Sequence, residues 1–332
     1  MRARPIDTLP DNLPEFIEEV AAGLTGLYGP AAGAAYRRAA PKAIETAMRS
    51  PQVHTYCAQA SGEVAGLVMA HFQDGAGRVP FIHVLARYCG RKIEHRLVKE
   101  AVAPLRTCGV DHIVSECIAF CDIDLRKSFT PLDFRVFSRQ LMMAEAQMVS
   151  HLGTAASRSV SCTALDMHSA GETIAAAYAD HTERDLHPDV QDPAAAERYI
   201  QATLRGAYGL CCPEYVRVIR EHGRVAAVIL GCEVAPGVGF VLQVAVRPDA
   251  QNRGLGEALV QDLASCFVKQ GIEKVALGVT ISNKARDLYV RLGFEPLRDV
   301  EAFVWQRPSV GVAASSLRKK VSRVAARSAR RE

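Results

Sequence analysis

The stretch Val244-Ala-Val-Arg-Pro-Asp-Ala-Gln-Asn-Arg-Gly-Leu-Gly-Glu-Ala-Leu-Val260 decides the fold of this 332-residue chain. An apolar strand runs into a turn at Arg247-Pro248, and two glycines precede a segment whose apolar residues have helical spacing. Successive backbone N–H groups at a glycine-rich helix start form a concave site for an anion. Glycine lets a phosphate approach the backbone without a clash with a Cβ atom. The segment therefore predicts a phosphate-binding loop between a strand and a helix.

Two common phosphate-binding motifs do not fit this loop. A dinucleotide-binding fingerprint needs a third glycine at the position of Leu259, and a Walker loop needs Lys followed by Ser or Thr after its last glycine. An ordinary tight turn before a helix is the structural alternative. It leaves Gln251 and the downstream residues Asn283 and Tyr289 without an explanation.

Apolar runs around the loop predict alternating strands and helices. The predicted strands are 160–166, 215–220, 225–234, 239–246, 275–279, 294–297 and 302–305. The predicted helices are 169–184, 193–206, a helix after Gly254, and one that starts at Ser282 or Asn283 and ends at Gly293. This order predicts an α/β unit with a mixed sheet.

The first part of the chain repeats this unit at an offset of about 162 residues. Leu97-Val98 corresponds to Leu259-Val260, and Gly109 corresponds to Gly271. The matching order of elements predicts two copies of one unit. We assign residues 1–145 to the first copy, 146–158 to a linker, 159–307 to the second copy and 308–332 to a basic tail that we expect to be disordered.

The loop and the residues downstream of it resemble the GNAT N-acetyltransferases. Gln251, Gly254 and Gly256 match the family's Q/R-x-x-G-x-G/A acetyl-CoA loop. The family's downstream signature is present as Asn283, Ala285, Tyr289, Gly293 and Phe294. The two copies together are similar to the tandem-GNAT arrangement of mycothiol synthase-like proteins. The resemblance implies an α/β fold of two tandem domains, each a central mixed, mostly antiparallel sheet flanked by helices.

The resemblance also implies an acetyl-CoA site in the second copy. Its backbone at 253–257 would hold the pyrophosphate, and the strand at 244–246 would bind the pantetheine arm and polarise the thioester carbonyl. Asn283 would orient the thioester end, and Tyr289 would protonate the departing CoA thiolate. A structural core tyrosine is the alternative for Tyr289. The expected cofactor-binding residues are Val244, Ala245, Val246, Gln251, Asn252, Arg253, Gly254, Leu255, Gly256, Glu257 and Asn283.

A general base for the acceptor amine is not evident in the sequence, because the strand at 239–246 carries no carboxylate. Glu233 on the preceding strand and His187 in the loop before the second helix are candidates. A water held by Gln243 is a third, since the amide itself cannot take a proton. A weakly basic acceptor would need no strong base.

The first copy is not expected to bind CoA. Opposite the glutamine and the two glycines of the loop it has Cys89, Lys92 and Glu94. Opposite the catalytic asparagine and tyrosine it has Ile123 and Phe129. We therefore expect the first copy to support the second, or to form part of an acceptor pocket between them.

The composition is that of a globular protein, with 49% hydrophobic and 23% charged residues. The net charge of +4 resides in the tail, since residues 309–332 hold seven basic residues and one acid. The ten scattered cysteines and the absence of a signal-like apolar N-terminus predict a cytoplasmic protein with reduced thiols. No membrane span, metal site or specific nucleic-acid partner is expected.

The favoured function is a CoA-dependent N-acyltransferase that moves an acetyl group from acetyl-CoA to an amine of a small molecule, by direct attack in a ternary complex and without a metal. The acceptor amine, the acyl length and the oligomeric state are left open. One alternative is a non-catalytic CoA-binding regulatory or scaffold protein. Another is a protein-lysine acetyltransferase that is directed by the basic tail.

Overall fold

A computed structural model describes residues 3–6, 8–73, 75–151 and 159–308. Its helices are α1 (Leu13–Tyr28), α2 (Pro30–Arg49), α3 (Ile93–Thr107), α4 (Leu125–Phe129), α5 (Ala146–His151), α6 (Met167–Tyr178), α7 (Pro193–Leu204), α8 (Leu255–Lys269) and α9 (Ala285–Arg291). Its strands are β1 (Ala3–Pro5), β2 (Val53–Ala60), β3 (Glu63–Gln73), β4 (Ala76–Val84), β5 (His112–Ser115), β6 (Arg135–Glu145), β7 (Val160–Ser161), β8 (Val216–Glu221), β9 (Arg224–Ala235), β10 (Val238–Val246), β11 (Lys274–Thr280) and β12 (Glu295–Gln306).

The described strands form one twelve-stranded sheet in the order β1-β2-β3-β4-β5-β12-β6-β11-β10-β9-β8-β7. All neighbours are antiparallel except two pairs, β4 with β5 and β10 with β11. The two parallel pairs occupy the same place in the two copies, and α3 and α8 are the crossover helices that connect them. The predicted α/β fold of two tandem units, each with a mixed and mostly antiparallel sheet, is confirmed.

The two copies exchange their last strands. β6, which ends the first copy, pairs with β11 of the second copy, and β12, which ends the second, pairs with β5 of the first. β6 and β12 pair with each other along most of their length and close the sheet in the middle. Side chains follow their strands, so Phe303 and Trp305 of β12 lie in the first hydrophobic core and Met142 and Ala144 of β6 lie in the second. Each core is therefore completed by the other copy.

Several predicted elements have different bounds in the structure. The predicted strand at 160–166 is short, because Asp166 accepts hydrogen bonds from the backbone N–H and hydroxyl of Thr163 and turns the chain into α6. The two strands predicted at 294–297 and 302–305 are one strand, β12, with an irregularity near Pro296. Ala146–His151, predicted as linker, forms α5, in which Val149 is buried in the second core. Residues 152–158 and the tail at 309–332 lie outside the described part of the chain.

Because each copy's last strand lies in the other copy's core, we expect a substitution on that strand to loosen the other copy. Phe303 is fully buried and stacks on Phe129 of the first copy at a centroid distance of 4.4 Å, while Met142 is fully buried in the second core. We expect Phe303→Ala to destabilise the protein by about 3–5 kcal/mol and Met142→Ala by about 2–5 kcal/mol. Amide hydrogen exchange should accelerate mainly in α3 and β5 for the first variant and mainly in α8 and β11 for the second. Faster hydrogen exchange in α8 and β11 for Phe303→Ala, or in α3 and β5 for Met142→Ala, would contradict the exchange of strands.

Candidate functional site

The site begins where the parallel strands β10 and β11 separate. Their pairing runs from Val238 opposite Lys274 to Val241 opposite Leu277 and then ends, although β10 continues to Val246. On its other edge β10 stays paired with β9, with a register shift between Val241 and Gln243 that leaves Leu242 as a bulge. The residues predicted to bind the pantetheine arm, 244–246, therefore lie on a strand edge that faces a cleft instead of a neighbouring strand.

The N-terminus of α8 closes one end of this cleft. The first backbone hydrogen bond of that turn runs from the N–H of Ala258 to the carbonyl of Gly254. Among the described residues, the N–H groups of 252–257 have no protein acceptor. Together with the positive end of a 15-residue helix, these groups form the anion site that the sequence predicts.

The two glycines of the loop meet different requirements. Gly254 has φ +76°, in the left-handed region, and a Cβ atom added to it would meet nothing within 4 Å. A Cβ atom on Gly256 would lie 3.6 Å from Val246 Cγ2, an ordinary contact, so a methyl group would fit there. A longer side chain at either position would extend over the anion site.

A cavity of about 670 Å³ joins the strand edge, the helix start and α9. Of the predicted cofactor-binding residues, ten line it: Val244, Ala245, Val246, Gln251, Asn252, Gly254, Leu255, Gly256, Glu257 and Asn283. Arg253 is absent from its lining. The Arg253 guanidinium instead donates to both carboxylate oxygens of Glu221, at 3.0 and 2.8 Å, so its charge is already paired. Gln251 is held by a 3.2 Å hydrogen bond from its Nε2 to the Val246 carbonyl.

Asn283 and Tyr289, the predicted catalytic residues, line the same cavity. Asn283 accepts a hydrogen bond from the Ala285 N–H at 2.9 Å and donates to the buried carboxylate of Glu183 at 3.1 Å, so both ends of its amide are fixed. Tyr289 packs edge-on against Phe294 and is half-buried. Burial, together with the nearby Tyr178 and Glu183, raises the pKa of Tyr289 above its usual value, so the phenol carries its proton at neutral pH.

Tyr178 is a second phenol in the cavity. It accepts a 2.9 Å hydrogen bond from Nε2 of Gln243, a buried side chain that also donates to the Val244 carbonyl. Burial raises the pKa of Tyr178 to about 12. Gln243 therefore positions the Tyr178 hydroxyl, while its role in holding a water stays a prediction.

A second cavity, of about 270 Å³, lies between the two copies. The first copy contributes Tyr28, Arg78 and Glu116, and the loop between α6 and α7 contributes His187 and Asp189. Ion pairs between Arg78 and Asp189, and between Arg135 and Asp185, attach this loop to the first copy.

The two cavities share five lining residues, which mark their junction: Arg139, His187, Val241, Leu242 and Gly278. Arg139 comes from the exchanged strand β6, pairs with Glu116 and donates to the Gly278 carbonyl at 2.8 Å. Burial and the nearby Arg139 charge lower the pKa of His187 well below its ordinary value, so its imidazole is neutral and weakly basic at pH 7. The junction therefore lies at the β10 bulge beside a fixed positive charge.

Of the candidate bases, only His187 reaches the junction. Glu233 lines neither cavity, and its carboxylate accepts a 2.9 Å hydrogen bond from the Gly237 N–H in the turn between β9 and β10. The sequence reasoning did not single out three charged residues that line the two cavities: Glu183, Glu116 and Arg139. They come from a loop, the end of β5 and the exchanged strand, and no motif connects these segments in the sequence.

The corresponding cleft of the first copy is filled by its own side chains. Lys92, at the start of α3, has φ +56° and lies in the same left-handed region as Gly254, at the start of α8, which has φ +76°. Glu94 is buried at the position that corresponds to Gly256 of the second copy. The hydroxyl of Ser115 donates to the Val79 carbonyl at 2.9 Å and bridges β4 and β5 beyond their last paired residues. Phe129, opposite Tyr289, is fully buried. These contacts support the expectation that this copy does not bind CoA.

Comparison with known proteins agrees with this geometry. Residues 176–294 match the model of the acetyltransferase (GNAT) family. The second copy is a GNAT domain. Members of this family are CoA-dependent N-acyltransferases, and the match lies entirely within the second copy. None of the curated proteins resembles the chain significantly.

Solved structures show that the GNAT fold extends over both copies. A GCN5-related N-acetyltransferase from Sphaerobacter thermophilus superposes with a TM-score of 0.59 at 16% identity, over 93% of this chain and 96% of its own. A tandem GNAT protein from the clavulanic acid biosynthesis pathway superposes with a TM-score of 0.56 at 13% identity, over 93% of this chain and 99% of its own. The glucosamine N-acetyltransferase region of a fungal multi-domain β-N-acetylglucosaminidase superposes with a TM-score of 0.56 at 16% identity, over 91% of this chain and 38% of its own. The chain therefore has the tandem GNAT fold.

Other kinds of site are not found in the described structure. Within the described ranges, no three His, Cys, Asp or Glu side chains come together in a way that could hold a metal ion. No helix among the described residues is both long and apolar enough to cross a lipid bilayer.

The difference between the two copies of this GNAT fold can be measured with matched variants. Gly254 and Lys92 occupy the same left-handed position before α8 and α3. We expect wild type to bind one equivalent of acetyl-CoA, Gly254→Asp to lose binding because a carboxylate would stand over the anion site, and Lys92→Asp to retain it. Isothermal titration calorimetry with acetyl-CoA and with CoA gives the stoichiometry. Loss of acetyl-CoA binding in Lys92→Asp, with binding retained in Gly254→Asp, would mean that the donor site lies in the first copy.

Proposed function

We propose that this protein transfers an acetyl group from acetyl-CoA to the amine of a small molecule by direct attack in a ternary complex. The observation that supports the proposal is the meeting of two cavities at the β10 bulge: one is lined by the open strand edge and the start of α8, and the other lies between the two copies. The ten cysteines are all free, which supports a cytoplasmic enzyme.

The donor would bind along the cleft from α8 to the bulge. Its pyrophosphate would accept hydrogen bonds from the free N–H groups of 252–257, and its pantetheine arm would pair with the open edge at 244–246. An N–H of the bulge would donate to the thioester carbonyl and stabilise the oxyanion that forms during attack. No metal is needed for these steps.

The chemical step exchanges one bond for another. The lone pair of the neutral amine attacks the thioester carbon, a C–N bond forms, and the C–S bond breaks with its electron pair leaving on sulfur. Tyr289 donates its phenolic proton to that thiolate, and the nitrogen loses its extra proton to Glu116, which lines the acceptor cavity beside Arg139. Glu116 releases its proton to solvent and Tyr289 regains one, so the products are an amide and CoA thiol.

Tyr289→Phe tests the proton donor. We expect kcat to fall by about 100-fold, since general acid catalysis contributes at least that factor, while the Kd for acetyl-CoA stays unchanged. Steady-state thiol release and calorimetry separate the two effects. Tyr178→Phe is the matched control, because it removes the other phenol of the same cavity. A larger loss of kcat in Tyr178→Phe than in Tyr289→Phe would assign the proton donation to Tyr178.

Glu116→Gln tests the proton acceptor. We expect kcat/KM to fall by about 100-fold at pH 7. The deficit should shrink as the pH rises, because hydroxide in the solvent can then take the extra proton from the nitrogen in place of Glu116. Glu301→Gln, at another carboxylate of the acceptor cavity, is the control and should cost little. A deficit in Glu116→Gln that is independent of pH would remove Glu116 from the proton path.

A further inference from the structure

The acceptor cavity has a composition that restricts what it can bind. Its walls are mostly apolar and aromatic, formed by Ile118, Leu141, Leu186 and Phe240 together with the tyrosines 28 and 199. Leu186 is held in a small buried cluster with Val114, Ala302 and Val304, so the loop that covers the cavity is packed against both copies. The volume of about 270 Å³ limits the acceptor to a small molecule.

Each cationic side chain in the lining is already paired with a carboxylate. Arg78 pairs with Asp189, and Arg139 pairs with Glu116 and donates to the Gly278 carbonyl. The side chains of Arg78 and Asp189 are 21% and 24% exposed, so that pair is largely shielded from water, whereas Arg139 is 11% exposed and its partner Glu116 is 37% exposed. A carboxylate or phosphate on the acceptor would have to displace a protein carboxylate, or stay unpaired in an apolar pocket at considerable cost.

The lining also carries more negative than positive charge. Its three carboxylates are Glu116, Asp189 and Glu301, against two guanidinium groups. The partner of Glu301 is Arg126, whose Nε lies 2.8 Å away but which does not line the cavity. Arg126 therefore balances the charge of Glu301, and Glu116, whose side chain is 37% exposed, is the carboxylate that an ammonium group of the acceptor can reach.

We propose that the acceptor is a small primary amine whose ammonium group is its only charge and whose body is apolar or aromatic. Amino acids and phosphorylated amines are disfavoured because the guanidinium groups are already paired, and amino sugars are disfavoured by the apolar walls. This inference rests on the proposed function, because it specifies the substrate class of that same site.

A panel of paired acceptors tests the substrate class. Phenylethylamine is compared with phenylalanine, and 3-methylbutylamine with leucine, so each pair differs only by a carboxylate; glucosamine is added as a polar amine. Thiol release and the mass of the product are measured with the full chain and acetyl-CoA. We expect kcat/KM for each simple amine to exceed that of its amino acid by about tenfold or more, equivalent to at least about 1.4 kcal/mol.

A charge variant tests the reason for that preference. Asp189→Asn releases Arg78 inside the cavity, so the ratio of kcat/KM for amine over amino acid should fall by about tenfold. Asp185→Asn is the matched control, because it breaks the pair with Arg135 in the same loop while Arg135 does not line the cavity. That variant should leave the ratio unchanged.

The outcomes separate the two proposals. Equal or faster turnover of the amino acids or glucosamine would overturn the inference and leave the acetyltransferase function in place. An unchanged ratio in Asp189→Asn, or an equal change in Asp185→Asn, would also overturn it. Binding of acetyl-CoA with no turnover of any amine in the panel would overturn the substrate class. Failure of acetyl-CoA to bind would overturn the proposed function itself.

Discussion

The separation of two parallel strands is the constraint on which the rest of the structure depends. Hydrogen bonding between β10 and β11 ends at Val241 and Leu277, and a backbone edge left unpaired in a protein interior must find another partner. A molecule with its own amide groups can provide that partner. The glycine-rich start of α8 lies at one end of this edge and supplies free N–H groups for an anion. The end of the pairing between β10 and β11 thus opens a cleft, and the anion site at the start of α8 lies at one end of it.

The strand exchange gives a structural role to the first copy, which we do not expect to bind CoA. β6 brings Arg139 to the junction of the two cavities, and β5 ends at Glu116, which pairs with it. The loop that carries His187 is attached to the first copy by two ion pairs. The first copy therefore forms one wall of the acceptor cavity and completes the core of the second. Its own cleft could be filled by Glu94 and Phe129 without loss of that role.

Features that depend on local sequence were predictable. A glycine at a left-handed position, helical apolar spacing and a repeated order of elements each leave a signature within about 20 residues, so the second copy and the loop from Gln251 to Glu257 could be placed. The exchange of β6 and β12 could not be predicted, because both strands have similar patterns and their pairing is set by distant partners. Glu183, Glu116 and Arg139 come from distant segments and are brought close to Tyr178 only when the chain folds. Arg253 lies in the predicted loop, but its side chain forms an ion pair with Glu221, which is 32 residues earlier in the sequence.

Backbone amide exchange with and without acetyl-CoA tests the central claim most directly. The account predicts that acetyl-CoA slows exchange at 252–257, where the N–H groups have no protein acceptor, and at those N–H groups of 244–246 that point away from β9. Exchange at 82–84 and 90–95 of the first copy should be unchanged. Equal protection of the two copies, or protection confined to the first, would contradict the claim that a single open strand edge beside α8 is the donor site.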